Sequence, residues 1–449
     1  MLKEDQELTL NPQNYSLLTD LYQLTMAACY VGEGIAERRG SFELFVRNLP
    51  DHLGYLIAMG LAQGLDYLEK FRFNEQQLEA LQKTGIFDQA PPEFWSLLQT
   101  GSFTGDVWAV PEGTAVFANE PLLRVEAPLW QAQIAETYLL NTLNYQTLIA
   151  TRAARMRDIA GKTATLLEFG TRRAFSPQGA IWAARAALAA GFDATSNVFA
   201  ALQLNQKPSG TMAHALVMAI KALSGSEDEA FAAFGRYFPG ATLLIDTYDT
   251  VAAAERLAQK MQAGEAEIRG VRLDSGDLVT LSQKVRSLLP TVKIFASGDI
   301  DEWEIKRLQE AKAVIDGYGV GTRLVTGEPV NGVYKLVDID GIPTMKQSSH
   351  KMTYPGCKQI FRTEVQGIIK GDRLTLADEP AQAGEIPLLQ LVMKDGKPLN
   401  NPEALGTIRQ RVQTSVKSLP AETRNLSNPM PISVKISAKL EALRQSLVV

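Results

Sequence analysis

The chain has 449 residues, of which 45% are hydrophobic, 21% charged and 8% aromatic, a balance that excludes disorder over its whole length. At about 100–200 residues per domain, two or three domains are expected. Its 45 Lys and Arg against 50 Asp and Glu leave a net charge of -5 with no dense basic block, so a nucleic-acid partner is not expected, while a small local anion is still admissible.

The run from Met1 to Leu8 lacks a basic start followed by an apolar core, and the most apolar later stretch, residues 180–192, contains Arg185. Neither export nor a membrane span is expected. Cys29 and Cys357 are the only cysteines, too few for a four-thiolate zinc module or a disulfide framework, which points to reducing cytoplasm and to no zinc.

Residues 1–145 mix helical patterns at 20–30, 56–71 and 74–84 with strand-like pieces at 41–46, 102–110 and 114–126, and Pro91-Pro92 reads as an interruption. Residues 146–327 instead repeat one pattern: a short apolar run, a polar or glycine-rich turn, then an Ala/Leu-rich amphipathic segment. Strands are predicted at 164–169, 241–245, 270–273, 292–296 and 314–318. The turns after them are Gly170-Thr171-Arg172-Arg173, Asp246-Thr247-Tyr248-Asp249, Asp274-Ser275-Gly276-Asp277, Ser297-Gly298-Asp299 and Gly319-Val320-Gly321-Thr322. A helix at 177–190 has Pro177 in its first turn, and further helices run to about residues 261, 288 and 311.

Consecutive βα units imply a parallel sheet covered on both faces. Polar residues recur after successive strands, whereas an open sheet gathers its contacts at one switch point, so a barrel is expected. Residues 328–449 offer strands at 332–337, 363–371 and 388–394 and a closing helix at 434–447. The expected fold class is α/β: an irregular α/β barrel at 146–327, with a second, mixed α+β domain built from 1–145 and 328–449, since each of those regions alone has a thin core.

Of His52, His214 and His350, only His214 has a suggestive context, Ser209-Gly210-Thr211-Met212-Ala213-His214-Ala215, where small residues allow close approach and a helix follows. General base, metal ligand and phosphoryl acceptor are all open to it, though no second His stands nearby for a metal pair. Arg272 and Asp274 alternate at a strand end and should point to one side. They form either a plain ion pair or, at a barrel rim, a cation for an anionic group beside a carboxylate for a hydroxyl or Mg²⁺. Asp246 and Asp249 carry the same ambiguity, because Asp after a strand is also a common helix cap. Gly298, Gly319 and Gly321 sit in turns that, in adjacent units, would offer backbone N–H groups as a phosphate cradle. Arg172 and Arg173 add fixed cations, and the ligand they suggest is small, anionic and phosphorylated.

Six motifs carry a resemblance. They are Leu18-Thr19-Asp20-Leu21-Tyr22-Gln23, Phe42-Glu43-Leu44-Phe45-Val46-Arg47, Glu168-Phe169-Gly170-Thr171-Arg172-Arg173, Gly210-Thr211-Met212-Ala213-His214, Arg272-Leu273-Asp274-Ser275-Gly276-Asp277 and Gly332-Val333-Tyr334-Lys335-Leu336-Val337. In order, over residues 17–337, they resemble the nicotinate phosphoribosyltransferase family of type II phosphoribosyltransferases. Residues beyond about 362 match little, and the zinc cluster of some relatives is beyond two Cys.

The resemblance implies an irregular barrel with a smaller mixed domain in a homodimer. It also implies displacement of pyrophosphate from 5-phosphoribosyl 1-pyrophosphate by the nicotinate ring nitrogen. ATP hydrolysis assists, formally a ligase reaction in NAD salvage. By the same resemblance His214 is phosphorylated by ATP, while Asp246 and Asp274 order the ribose hydroxyls and Mg²⁺. Arg272, Thr211, Arg172 and Ser196 meet nicotinate, with Tyr22 of the other subunit stacking on the ring. Gly298, Asp299, Gly319, Gly321 and Thr322 hold the 5-phosphate and ribose.

Quinolinate phosphoribosyltransferase is normally a shorter chain with more basic side chains. Nicotinamide phosphoribosyltransferase carries an Asp at the place aligned with Ser196, where a carboxylate would repel nicotinate and a hydroxyl would not. A sugar-phosphate isomerase or aldolase would also use a barrel rim, but an aldolase needs a Schiff-base Lys, and the predicted strands offer only Lys293 near a strand start. A scaffold protein would leave the polar rim unexplained.

Overall fold

The computed structural model describes residues 8–347 and 353–448, so His350 and the first seven residues lie outside the described residues. The chain divides into two compact units, Met1–Leu148 with Pro329–Val449, and Ile149–Glu328.

The N-terminal region contributes strands β1 (Arg39–Val46), β2 (Leu56–Ile57), β3 (Asp106–Ala109), β4 (Ala115–Val116) and β5 (Pro121–Pro128). Helix Glu75–Lys83 starts where a capping box forms: Asn74 Oδ1 accepts from Gln77 N and Gln77 Oε1 accepts from Asn74 N, both at 2.9 Å. The segment predicted as a helix over 56–71 divides instead. Buried Leu56 and Ile57 pair with Val116 and Ala115, and helix Leu61–Glu69 begins only after Gly60 at φ +101°. That left-handed conformation breaks the helix and suits glycine alone. The single strand expected at 114–126 is likewise two, β4 and β5, with Asn119 at φ +66° between them. Pro91-Pro92 is a start rather than an interruption. Pro92 opens helix Pro92–Thr100, where its missing N–H costs no hydrogen bond.

Helix Glu136–Ala160 was not anticipated, and it runs through the boundary read at 145/146. Most of its residues are buried or half-buried around the whole circumference, so it shows no polar stripe to read.

The second unit holds β6 (Thr165–Glu168), β7 (Ala194–Thr195), β8 (Leu243–Leu244), β9 (Gly270–Leu273), β10 (Lys293–Ser297) and β11 (Gly317–Val320). All five pairings are parallel, in the order β7-β6-β11-β10-β9-β8. Among the described residues no ladder joins β7 to β8, so hydrogen bonds leave the sheet open there. Between those two short strands the simple repeat is lengthened by helices Val198–Gln203, His214–Ser224 and Glu227–Tyr237.

The turns after β6, β8, β9 and β10 each end in a side-chain cap, at Ser176, Asp249, Asp277 and Asp301. Asp249 Oδ1 accepts from Val251 N and Ala252 N before helix Thr250–Gln262, and Asp277 Oδ1 accepts from Val279 N before helix Leu278–Leu288. Asp249 is therefore a helix cap, which separates it from Asp246. β11 starts three residues later than predicted, because Lys312 turns the chain at φ +58° and Asp316 Oδ2 accepts from Ile294 N at 2.7 Å before the strand begins.

The C-terminal region adds β12 (Gly332–Ile339), β13 (Ile342–Pro343), β14 (Lys358–Val365), β15 (Ile368–Leu376), β16 (Glu385–Pro387), β17 (Gln390–Lys394), β18 (Lys397–Pro398) and β19 (Val434–Ile436). It shares a seven-stranded sheet with the N-terminal region, in the order β13-β12-β1-β5-β3-β17-β18, and forms a four-stranded sheet β16-β14-β15-β19. Phe42, Leu44, Val125, Tyr334, Ile360 and Met393 from both regions enter one apolar core. The strand predicted at 363–371 is the tip of the β14–β15 hairpin, where Gln366 and Gly367 both have positive φ, +52° and +75°. The helix expected over 434–447 opens as strand β19 and turns helical only at Ala438, capped by Ser437.

A buried ion pair and a buried arginine also tie the regions together. Lys358 Nζ meets Glu43 Oε2 at 2.8 Å, and Arg362, which donates to the Ala115 carbonyl, holds Asp372 through two bonds of 2.9 and 2.6 Å. Removing one partner of such a pair would cost about 3–5 kcal/mol, because a buried charge is left alone. Glu120 lies against Asp372, and burial followed by that neighbouring charge pushes its carboxyl well above the usual range. Among the described residues no helix is long and apolar enough to cross a membrane.

Candidate active site

Alternation along a strand sends every second side chain to one face. Thr165 and Leu167 of β6 and Phe169 just beyond it line a cavity of about 110 Å³ together with Arg272 of β9, Phe295 of β10 and Gly319 of β11. Ser209, Gly210 and Thr211 complete part of its wall. Gly319 is required by space: a Cβ there would sit 2.5 Å from the Phe169 ring. It lies inside β11, paired with Ser297 and Leu167, and not in the turn expected from sequence.

Arg272 is the cavity's cation. Its Nη2 donates to the Met212 carbonyl at 3.0 Å, its guanidinium lies 5.9 Å from the centre of the Phe169 ring, and its Nε is buried with no acceptor. Burial pulls its pKa down, the Asp274 and Asp246 carboxylates oppose that, and Arg172 adds a repulsive charge. The guanidinium stays protonated, so an unused donor faces the need for an anion.

Asp246 and Asp274 follow β8 and β9. Asp246 Oδ2 accepts from Asp274 N at 2.9 Å and Ser275 Oγ at 2.7 Å, while Asp274 Oδ1 accepts from Ser297 Oγ. Asp246 Oδ1 is buried with no donor. An orphaned carboxylate oxygen beside a second carboxylate fits Mg²⁺, which takes one or two carboxylates and fills its remaining positions with water and phosphate oxygens. Among the described residues no three His, Cys, Asp or Glu side chains converge as a metal cage.

His214 is the first residue of helix His214–Ser224, half-buried, with Nδ1 3.1 Å from Thr247 Oγ1. The Ala213 cap position makes no side-chain bond, so the helix start keeps free backbone N–H groups. Thr211, two residues before that cap, lines the cavity, whose Arg272 bonds the neighbouring Met212 carbonyl.

Arg172 and Arg173 are exposed on the turn after β6. Glu168, missed from sequence, anchors that turn: it is fully buried, with Oε1 accepting from Gly170 N and Oε2 from Thr195 Oγ1 at 2.5 Å. Burial raises its pKa, against the pull of those two bonds. Its only sequence signal was its place at a strand end ahead of glycine. Ser196 is half-buried next to Thr195, its N–H donating to the Glu168 carbonyl at 2.9 Å, and it is not one of the residues lining the cavity. The wall position belongs to Ser209, whose N–H bonds the Thr195 carbonyl at 2.9 Å.

Gly298 and Asp299 are exposed in a left-handed turn, φ +89° and +51°, where a Cβ on Gly298 would strike the Asp274 carbonyl. Gly321 caps the short helix Thr322–Val325, with Thr322 exposed at its start. Tyr22 belongs to the other compact unit, on helix Leu21–Gly32. It is half-exposed among Leu17, Leu18 and Leu21, and its pKa is raised by burial and by Glu136.

Three family descriptions match in chain order: the nicotinate phosphoribosyltransferase N-terminal domain over residues 17–144, the nicotinate phosphoribosyltransferase family over 164–364, and its C-terminal domain over 382–444. The last extends the likeness well past residue 362, where sequence motifs alone ran out. A nicotinate phosphoribosyltransferase of Mycobacterium tuberculosis is 40% identical over 447 residues, covering 96% of this chain and 94% of its own. That of Bacillus subtilis is 43% identical over 384 residues, 81% and 76% of the two chains. The crystal structure of human nicotinic acid phosphoribosyltransferase superposes with a TM-score of 0.85 at 30% identity, covering 96% of this chain and all of that one. A nicotinate-nucleotide pyrophosphorylase from Pyrococcus furiosus gives 0.75 at 25% identity, over 93% and 99%. With its motifs in order, its parallel-sheet unit and relatives spanning nearly its full length, the chain belongs to the nicotinate phosphoribosyltransferase family.

Proposed function

We infer that the protein moves the phosphoribosyl group of 5-phosphoribosyl 1-pyrophosphate onto the ring nitrogen of nicotinate, forming nicotinate mononucleotide and pyrophosphate in NAD biosynthesis. The observation that carries this reading is the buried Arg272 with an unused Nε in a cavity of about 110 Å³, room for one small ring and not for a nucleotide. A guanidinium there suits the carboxylate of a pyridine acid, with Thr211 beside it, Arg172 adding positive charge near the mouth and Ser196 behind the wall.

Asp246 and Asp274 hold the ribose hydroxyls and Mg²⁺, and their negative charge stabilises a ribosyl carbon that becomes cationic as the bond to pyrophosphate breaks. When bound, Mg²⁺ supplies neutralising charge for the pyrophosphate. Gly298, Asp299, Gly321 and Thr322 lie on turns at the carboxyl ends of the neighbouring strands β10 and β11, suited to the 5-phosphate and ribose. Gly319 acts by leaving room for Phe169. His214 takes the γ-phosphoryl group of ATP, so that ATP hydrolysis assists the transfer and the protein is formally a ligase and transiently a phosphoprotein. The positive end of its helix favours the anionic phosphoryl group. The scarcity of cysteine, with only two in the sequence, supports a cytoplasmic site of action.

Product analysis tests the reading. With Mg²⁺, ATP and phosphoribosyl pyrophosphate, nucleotide should form from nicotinate and hardly from nicotinamide or quinolinate. Comparable use of nicotinamide would remove the role of the carboxylate, and of Arg272 with it.

The protein acts as a homodimer in this reading, with Tyr22 completing the neighbouring subunit's pocket. Its half-exposed ring among three half-exposed leucines supports a partner surface. Tyr22→Ala and His214→Ala, neither giving ATP-stimulated transfer alone, should regain that activity at about a quarter of wild-type sites on random mixing, because half the dimers are mixed and each rebuilds one of its two sites. No recovery after verified subunit exchange would mean that each pocket is built within one chain.

A further inference from the structure

Helix His214–Ser224 is clipped to the loop after β8 at two points. At its first residue, His214 Nδ1 lies 3.1 Å from Thr247 Oγ1. Two turns along, on the same face, Lys221 Nζ stands 3.5 Å from the centre of the Tyr248 ring. Asp246, the residue before Thr247, makes no hydrogen bond to the imidazole: its Oδ2 accepts from Asp274 N and Ser275 Oγ, and its Oδ1 has no donor. Among the described residues the imidazole makes no second hydrogen bond, so Nε2 is open.

We propose that Thr247 is a positioning residue for His214: its hydroxyl oxygen accepts the Nδ1 proton and holds the ring in the tautomer whose lone pair is on Nε2, making Nε2 the atom that is phosphorylated. The partner of one ring nitrogen sets the state of the other. This rests on reading His214 as the acceptor of the γ-phosphoryl group of ATP. In the step, the Nε2 lone pair forms the bond to the γ-phosphorus while the bond from that phosphorus to the bridging β-phosphate oxygen breaks, and ADP leaves with the electron pair. The ring becomes cationic with its proton still on Nδ1, donated to Thr247, and the bond strengthens because its donor is now charged. Without that acceptor the imidazole relaxes towards the Nε2–H tautomer, which places the lone pair on the nitrogen facing the loop.

Only three histidines are present, so ring ¹⁵N spectroscopy of imidazole-labelled protein can resolve His214, with His214→Ala for assignment. Wild type is expected to show a protonated Nδ1 and a bare Nε2, and chemical mapping after ATP should find phosphate on Nε2. Thr247→Val keeps the shape, shifts the ring towards Nε2–H and slows phosphate uptake by roughly 10- to 100-fold, whereas Thr247→Ser should return to within about threefold of wild type. A wild-type ring protonated mainly on Nε2, phosphate found on Nδ1, or a Thr247→Val ring with an unchanged tautomer would overturn the proposal. A wild-type ring protonated on Nδ1 that takes no phosphate from ATP would instead overturn the phosphohistidine reading and uphold the tautomer assignment.

Discussion

Arg272→Met should lower kcat/KM for nicotinate by roughly a hundred- to several-thousand-fold, the equivalent of about 3–5 kcal/mol for removing one partner of a desolvated charge pair. The loss should fall mainly on KM, because the carboxylate is bound equally before and during ribosyl transfer. Little stability should be lost with it. Methionine fills much of the same volume and removes a buried Nε that has no acceptor in the free protein. Arg272→Lys should recover only part of the binding, since an ammonium cannot bond the Met212 carbonyl and grip a carboxylate in the geometry of the planar fork. Steady-state kinetics together with titration of nicotinate binding decide the matter. An unchanged KM would reduce Arg272 to a structural partner of Met212.

His214→Ala should abolish phosphate uptake from ATP while leaving slow nucleotide formation that no longer responds to ATP. The ratio of rates with and without ATP, expected to lie well above one in wild type, should fall to one. In the reading proposed above, ribosyl transfer itself would depend on the turns after the strands and on Asp246 and Asp274, whereas the hydrogen-bond partner of the imidazole is Thr247. The substitution removes a half-buried ring at a helix start, so a stability change of no more than about 1–2 kcal/mol is expected. Acid-labile label retained by the variant would put the phosphoacceptor elsewhere.

Much of the parallel-sheet unit could be read from the chain. The strand at Gly270–Leu273 has its predicted limits, and Asp249 and Asp277 cap the helices that follow their turns. Such features are local. A fully buried strand is a short apolar run, and a cap is one polar side chain two or three residues from the N–H that it satisfies. Arg272 and Asp274 were recognisable for the same reason, since alternation along a strand requires no knowledge of the rest of the fold.

What escaped the sequence depends on contacts made at long range. Leu56–Ile57 becomes a strand because Ala115–Val116 is there to pair with it, and two apolar residues have no period to betray them. Helix Glu136–Ala160 is surrounded by packing, which erases the polar stripe that marks a surface helix. Asp246 and Asp249, three residues apart, looked equivalent until folding gave one to a helix N-terminus and left the other an unpaired oxygen. Glu168 and Thr195, and His214 and Thr247, meet across 27 and 33 residues. Composition, periodicity and motif order were enough for the family, the parallel sheet and the identity of the main charged groups. Whether each of those groups is capped, anchored or left with a free valence follows from which distant backbone and hydroxyl groups packing brings within about 3 Å, a distance that no local pattern encodes.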